Sequence, residues 1–339
     1  MRKPDGSTIF LGTSITVALA LTLYLMVFHQ NGHAGFDQVP QSAPTKNIPF
    51  DGAQAYQYLK QLCALGPRAS GSAAMLEQQQ LLTNHFSQLG GRVLHQSFDV
   101  RHPQTGNPVS MKNIVVEWHP DRLERILLCA HYDTRPFPDL DRNRPRGRFV
   151  GANDGASGVA LLMELGKHMP KLTGNVGVDF VLFDGEEFVF DEKRDKDYYF
   201  VGSTHFSRSY IALPPEHRYR CGVLFDMVAD AKLELYHERN SLRFAKSLVG
   251  EIWGTAQQLN VEEFINKPRH ELRDDHIKLN EIAHIPTCDI IDFDYPRPGA
   301  RQSYWHTEND KPEKCSGASL AKVGWVIHEW LKKATQQAR

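Results

Sequence analysis

Apolar residues along this chain recur with two different periods. From about Gly52 to Leu65 and from about Ser72 to Leu89 they return at helical spacing, and the runs stop at Gly66-Pro67 and Gly90-Gly91. Arg92 to Val100 and Asn113 to Trp118 read as strands joined by a Pro/Gly-containing, hairpin-like loop. The pattern then alternates. Arg125 to Ala130 is a buried strand ending at His131, and Ala156 to Met169 is a helix. Val178 to Phe183 is a buried strand ending at Asp184, and Cys221 to Phe225 is another ending at Asp226. A long amphipathic helix spans about Leu242 to Leu259, Pro286 to Phe293 gives a further strand, and Ser319 to Ala334 a last helix. Short apolar strands alternating with helices predict an α/β fold whose largely parallel sheet is covered on both faces. Residues 48–335 read as one domain, with no second linker, internal repeat or low-complexity tract.

The first residues break this pattern. Arg2 and Lys3 precede a mostly apolar, uncharged run from Phe10 to Phe28, close to the length that spans a bilayer and longer than a usual signal-peptide core. No good small-residue cleavage site follows at Asn31-Gly32-His33-Ala34-Gly35. Residues 1–28 are therefore expected to act as an uncleaved signal anchor, with a cleaved signal peptide or a core helix as the alternatives. Residues 29–47, rich in Pro, Gln, Gly and Ser, form a linker. Anchor and signal peptide alike place residues 48–335 outside the cytoplasm, on a membrane or secreted.

Composition narrows the partners. Among 339 residues, 39 are Lys or Arg and 40 are Asp or Glu, a formal charge of -1, and no basic stripe is interleaved with aromatics. Nucleic acid is thereby an unlikely partner in the electrostatic sense, since phosphate binding needs clustered cations. Arg142 to Arg148, the most basic stretch, is Pro/Gly-rich and reads as an exposed loop. Five cysteines leave at least one unpaired and include no C-x-x-C pair, which argues against a disulfide framework and against thiolate-bound zinc. Cys129 and Cys288 fall in apolar runs as small core residues.

The chemistry sits where strands give way to loops. His131, with Asp133 two residues on, Asp154, Glu187, Asp226 and His306 are all acids or imidazoles at such positions, which is where α/β sheets gather their ligands. Carboxylates and imidazoles brought together from distant segments make a metal site, and such a set points to a zinc hydrolase or transferase. Strand alternation puts His131 and Asp133 on one side, so that the carboxylate can orient the ring. Asp154, in Gly151-Ala152-Asn153-Asp154-Gly155, could instead cap the helix that follows. In Asp184-Gly185-Glu186-Glu187 the adjacent glutamates point different ways, so one can bind metal while Glu186 serves as general base. Asp226 ends an apolar strand, where an uncompensated carboxylate is costly. Asp274-Asp275-His276 and Trp305-His306-Thr307 complete the set, with Trp305 read as a pocket wall or a packing aromatic.

Together with Gly66-Pro67-Arg68, these segments in this order resemble the zinc aminopeptidases and their relatives the glutaminyl-peptide cyclotransferases, over residues 48–335. The resemblance implies a single α/β domain built on a central mixed, mainly parallel sheet flanked by helices. It also implies that Asp154, Glu187 and His306 bind the zinc used by both branches, and that Glu186 is the acid/base. The positions of His131 and Asp226 bind a second zinc in aminopeptidases. In cyclotransferases they persist without it, Asp226 serving a proton network.

The Asp-Asp-His run, Trp305 directly before His306, and the long loop from Thr134 to Phe149 lean toward the cyclotransferases. Three features depart from their animal members. Phe188-Val189-Phe190 stands where they carry a pocket Trp, a network histidine is replaced near Asp289, and the loop from Tyr295 to Gln302 differs. The cyclase expectation is a single zinc, conversion of the N-terminal Gln of peptides or proteins to pyroglutamate with release of ammonia, proton transfer by Glu186 steadied by Asp274 with Asp226, and Trp305 against the substrate. The aminopeptidase expectation is two zincs and release of N-terminal residues. A third is an anchored binding module that kept the fold and lost activity.

Overall fold

The structure, a computed structural model, describes residues 48–191, 193–195, 198–294 and 303–336. Among these no helix is long and apolar enough to cross a membrane, and the apolar run from Phe10 to Phe28 lies outside them. Helix α1 (Gly52–Ala64) starts where the Asp51 carboxylate accepts from the Gln54 amide at 2.9 Å, and α2 (Ala73–Gln88) where Ser72 accepts from Met75 at 3.1 Å. Strands β1 (Arg92–Arg101) and β2 (Pro108–Trp118) form the expected antiparallel pair, with β2 beginning five residues earlier than its apolar run. β3 (Glu124–His131) follows, then α3 (Ser157–Leu165). This helix is shorter than its apolar pattern, because Pro170 cannot donate to an α ladder and the chain tightens into a 3-10 turn over Gly166–Lys171.

β4 (Gly177–Phe183), α4 (Val201–Ala212), β5 (Arg218–Asp226), β6 (Leu235–His237) and α5 (Arg239–Gln258) come next. The chain continues through β7 (Phe264–Pro268), α6 (Asp275–Glu281), β8 (Thr287–Ile291) and α7 (Gly317–Ala334). Helices α4 and α6 and the small β6–β7 pair have no counterpart in the sequence reading.

Six strands make a mixed sheet in the order β1-β2-β4-β3-β5-β8. β3 is parallel to β4 and β5, and β5 is parallel to β8, while β2 runs antiparallel to β1 and β4. Strand alternation splits the core. Ile126, Leu128 and Ala130 of β3 join the apolar layer built with α1, α2, α3, α5 and α7, whereas Leu127 and Cys129 face α4 and α6. Helices thus cover both faces, and every residue of β4 is buried. From β3 the chain crosses to β4 on one side and then to β5 on the other. This reversal opens a crevice beyond the carboxyl end of β3, the usual ligand position in such sheets.

Candidate active site

Parallel strands deliver their carboxyl ends to one edge, and the chemistry collects there. His131 closes β3, Asp226 closes β5, and Asp184-Gly185-Glu186-Glu187 follows β4. Gly185 adopts φ +75°, and a Cβ there would stand 2.8 Å from the Met111 sulfur, so the turn that leads from β4 into the two glutamates depends on glycine. Asp133 sits beneath them. Its carboxylate accepts from the Glu186 amide at 3.1 Å and the Glu187 amide at 3.2 Å, and it stands 3.6 Å from His131 Nδ1. Asp154 precedes α3 but does not cap it, since the N-cap is Ala156 with no side-chain bond. Its loop is held instead by Asp310, which accepts from the Asn153 and Asp154 amides at 2.8 and 3.0 Å.

The five expected ligands converge as two groups that share Asp154. In one, His306 Nε2 lies 2.8 Å from Glu187 Oε1 and 3.5 Å from Asp154 Oδ2. In the other, His131 Nε2 lies 3.3 Å from Asp154 Oδ1 and 3.2 Å from Asp226 Oδ1. All five side chains are largely or fully buried, and Glu187 Oε2 and His131 Nδ1 are buried without a hydrogen-bond partner. Orphaned donors and acceptors among convergent carboxylates and imidazoles fit a divalent cation, whose charge would offset the clustered anions. Asp154, Glu187 and His306 would hold it, and His131 and Asp226 could hold a second.

The electrostatics separate the two glutamates. Burial opposes ionisation of Glu187, but His306 and Arg135 outweigh it and hold that carboxyl well below its ordinary range. Glu186 is pushed well above its ordinary value, first by burial and then by Glu187, Asp274 and Asp275, with His131 at 3.9 Å opposing. Neighbouring carboxyls with opposite shifts are how a site keeps one fixed anion beside one proton carrier. Asp274 is pushed up to about 7, chiefly by burial and then by Asp226.

Glu186, Asp274, Trp305, Phe293, Ile291, Leu272 and Tyr199 line a cleft of about 310 Å³ over the ligands. Trp305 is half-buried, its ring tilted over His306 with centroids 3.9 Å apart and met edge-on by Phe293 at 5.0 Å. Three cleft residues, Phe200, Met227 and His306, hold left-handed backbone at φ 59°, 49° and 52°. Such strain persists where surrounding structure over-determines it, often at sites of chemistry. Phe188 and Phe190, in place of a pocket Trp, are not among the cleft residues and pack on His102 at 5.6 and 4.2 Å. The loop from Tyr295 to Gln302 lies outside the described residues.

Below Asp274 lies a buried network that the sequence reading caught only in part. His276 Nε2 stands 3.3 Å from Glu238 and Nδ1 3.7 Å from Asp289. His276, from α6, thus lies between these two carboxylates, with both ring nitrogens buried and without a hydrogen bond. Glu238, Arg135 and Asp310, all buried, and Asp139, a third exposed, lie outside the sequence reading, because a charged residue in a loop carries no local sign of what it will meet.

Residues 113–331 match the model of peptidase family M28. The chain belongs to this family. Among solved M28-like folds, the glutaminyl cyclase of Fimbriiglobus ruber superposes with a TM-score of 0.78 at 42% identity, covering 84% of this chain and 95% of that one. A Zn-dependent exopeptidase from Parabacteroides distasonis gives 0.76 at 29%, covering 84% and 99%. The glutaminyl-peptide cyclotransferase of Drosophila melanogaster is 23% identical over 296 residues, 80% of this chain and 79% of that protein. The uncharacterized protein YfbL of Escherichia coli K12 is 28% identical over 172 residues, and the chain spans about half of its length (49%). The central mixed sheet flanked by helices and the family are those expected from the sequence. An inactive binding module finds no support among relatives named as cyclases and exopeptidases.

Proposed function

We propose that this M28 chain is a zinc-dependent glutaminyl-peptide cyclotransferase, acting on the N-terminal Gln of peptides or proteins outside the cytoplasm, where the N-terminal segment would hold it to a membrane. The observation that carries this reading is one cleft joining a triad of candidate metal ligands, two carboxyls whose pKa values burial raises (Glu186 and Asp274) and an aromatic wall. Likeness to the Fimbriiglobus cyclase over most of both chains supports the same choice.

Zinc held by Asp154, Glu187 and His306 would supply Lewis-acid polarisation of the γ-amide carbonyl. Glu186, ionised at the start, takes a proton from the α-amine as that nitrogen bonds to the γ-carbonyl carbon. The bond to the amide nitrogen then breaks, and Glu186 returns the proton so that ammonia departs. Asp274 and Asp226 steady the proton on Glu186. Trp305 and Phe293 pack on the folded Gln side chain and exclude water, which matters because holding one chain in near-attack geometry is most of the work in an intramolecular reaction.

An aminopeptidase is the second reading, favoured by the His131–Asp154–Asp226 group that could hold a second ion. Purified protein given Gln-peptides and amino-acid anilides separates the two. Ammonia and pyroglutamyl product with idle anilides are expected, and the reverse result would sink the cyclase reading.

A further inference from the structure

Arg135 follows β3 by four residues in a Pro-rich loop, yet it is 1% exposed. Its guanidinium reaches Asp139, Glu187 and Tyr199. Nε and Nη2 fork onto the Asp139 carboxylate at 2.7 and 3.0 Å, and Nη1 reaches Glu187 Oε1 and the Tyr199 hydroxyl at 3.0 Å each. Asp139 in turn faces His306, with Oδ1 3.5 Å from Nδ1, and the next amide, Leu140, donates to the His306 carbonyl at 3.2 Å. One buried cation therefore touches Glu187 directly and His306 through Asp139. The two come from separate loops, after β4 and before α7.

An imidazole that presents Nε2 to a metal needs its Nδ1 side fixed, and a carboxylate there sets both tautomer and ring plane. His306 needs this more than most, because its backbone is held at φ 52°. Glu187 needs the second half of the device. Arg135 and His306 both meet Oε1, at 3.0 and 2.8 Å, and leave Oε2 buried without a hydrogen-bond partner, the orphaned oxygen of a carboxylate in the ligand group. Only a planar fork can serve a carboxylate with two donors while sending another to a different acceptor. Lysine carries the charge without that geometry.

We infer that Arg135 is a positioning residue that sets Glu187 and, through Asp139, His306 as metal ligands. The inference rests on the ligand assignment above. The Arg135–Asp139 pair is close to neutral as a unit, so the fork chiefly sets orientation, beside the charge that Arg135 places against Glu187.

The test is zinc affinity of the full chain, measured by competition with a chromogenic chelator. Second-sphere losses of this kind cost about 10–100-fold in metal affinity. Arg135→Lys and the charge-conserving double variant Arg135→Gln/Asp139→Asn should each weaken zinc binding in that range, and added zinc should restore kcat. Removing buried Arg135 could unfold the chain. Asp139→Asn, whose side chain is a third exposed, is the variant expected to fold and still lose affinity. Wild-type affinity in Arg135→Lys and Asp139→Asn would overturn the inference. Zinc retained by Asp154→Asn would remove the ligand assignment and the role of Arg135 with it, whereas loss of zinc there beside wild-type affinity in the Arg135 variants defeats the inference alone.

Discussion

His131 Nε2 stands 3.2 Å from Asp226 Oδ1, a contact that completes itself without a second metal. A proton on that nitrogen joins the two side chains in a hydrogen bond. Burial works against the charged ring, but Asp133, Asp154 and Asp226 outweigh it and raise the His131 pKa well above its ordinary value. A second cation must displace that proton and hold Asp154 and Asp226 in its place.

Metal content is therefore the first expectation. The full chain should purify with one zinc, lost in Asp154→Asn or His306→Ala and kept in His131→Gln. Elemental analysis of the four proteins decides it. Two equivalents in the wild type, falling to one in His131→Gln, would show that the His131–Asp226 pair is a second metal site.

Glu186→Gln preserves size and should preserve zinc, because Glu186 lies outside both candidate ligand groups. It removes the only group assigned to move the proton, so kcat should fall by about 10² or more. Near-normal turnover with zinc bound would take the role away from Glu186.

The pH profile follows from the same residue. Glu186 must be ionised to accept the first proton, and burial with its acidic neighbours raises its pKa, so kcat/KM should rise with pH through a limb above the ordinary carboxylate range. Asp274 is one of the charges that raise it. Asp274→Asn removes that charge and should move the limb to lower pH. A limb that stays in place or moves upward would contradict the coupling.

Stability should carry its own pH dependence. Asp184 and Asp292 are each pushed up to about 7, chiefly by burial, from an unfolded value near 4. A carboxyl whose pKa is raised on folding adds stability that is full below about 4 and lost as pH rises through about 7. Glu238 runs the other way. It is held to about 2 because His276 and backbone donors outweigh its burial, so its contribution is present above about 4.3 and lost only as pH falls through about 2. Thermal melts of Asp292→Asn should flatten the loss between about pH 5 and 7. A variant with the wild-type slope would show that Asp292 ionises freely.

Much of this molecule was legible because buried strands announce themselves and end in polar residues. The apolar runs before His131, Asp184 and Asp226, the second broken by Asp179, located β3, β4 and β5 together with the ligands at their ends. Helix α4 was not legible. Its buried face is carried by Gly202, Ser203, Phe206 and Ser207, small and polar residues that give almost no apolar period. The remaining site residues are partners across long separations. Arg68, fully buried, donates to the carbonyls of Val150 and Gly151 at 2.8 and 2.9 Å, and so braces the loop that carries Asp154. Nothing in Gly66-Pro67-Arg68 distinguishes that arginine from a surface one, and the same holds for Arg135 and Asp310.

Trp305 bears on substrate more than on metal. Its ring lies over His306 and is buttressed by Phe293, and it lines a second hollow beside Leu140 and Asp141 as well as the cleft beside Glu186. A folded Gln side chain placed there gains an apolar wall while its amide reaches the metal ligands. Trp305→Ala should raise KM for Gln-peptides about tenfold, the equivalent of ~1.4 kcal/mol of aromatic contact, with zinc content unchanged. Steady-state kinetics and metal analysis on one preparation read both quantities. A fall in zinc alongside KM would mean that Trp305 supports the His306 ring, and an unchanged KM would place the Gln side chain elsewhere in the cleft.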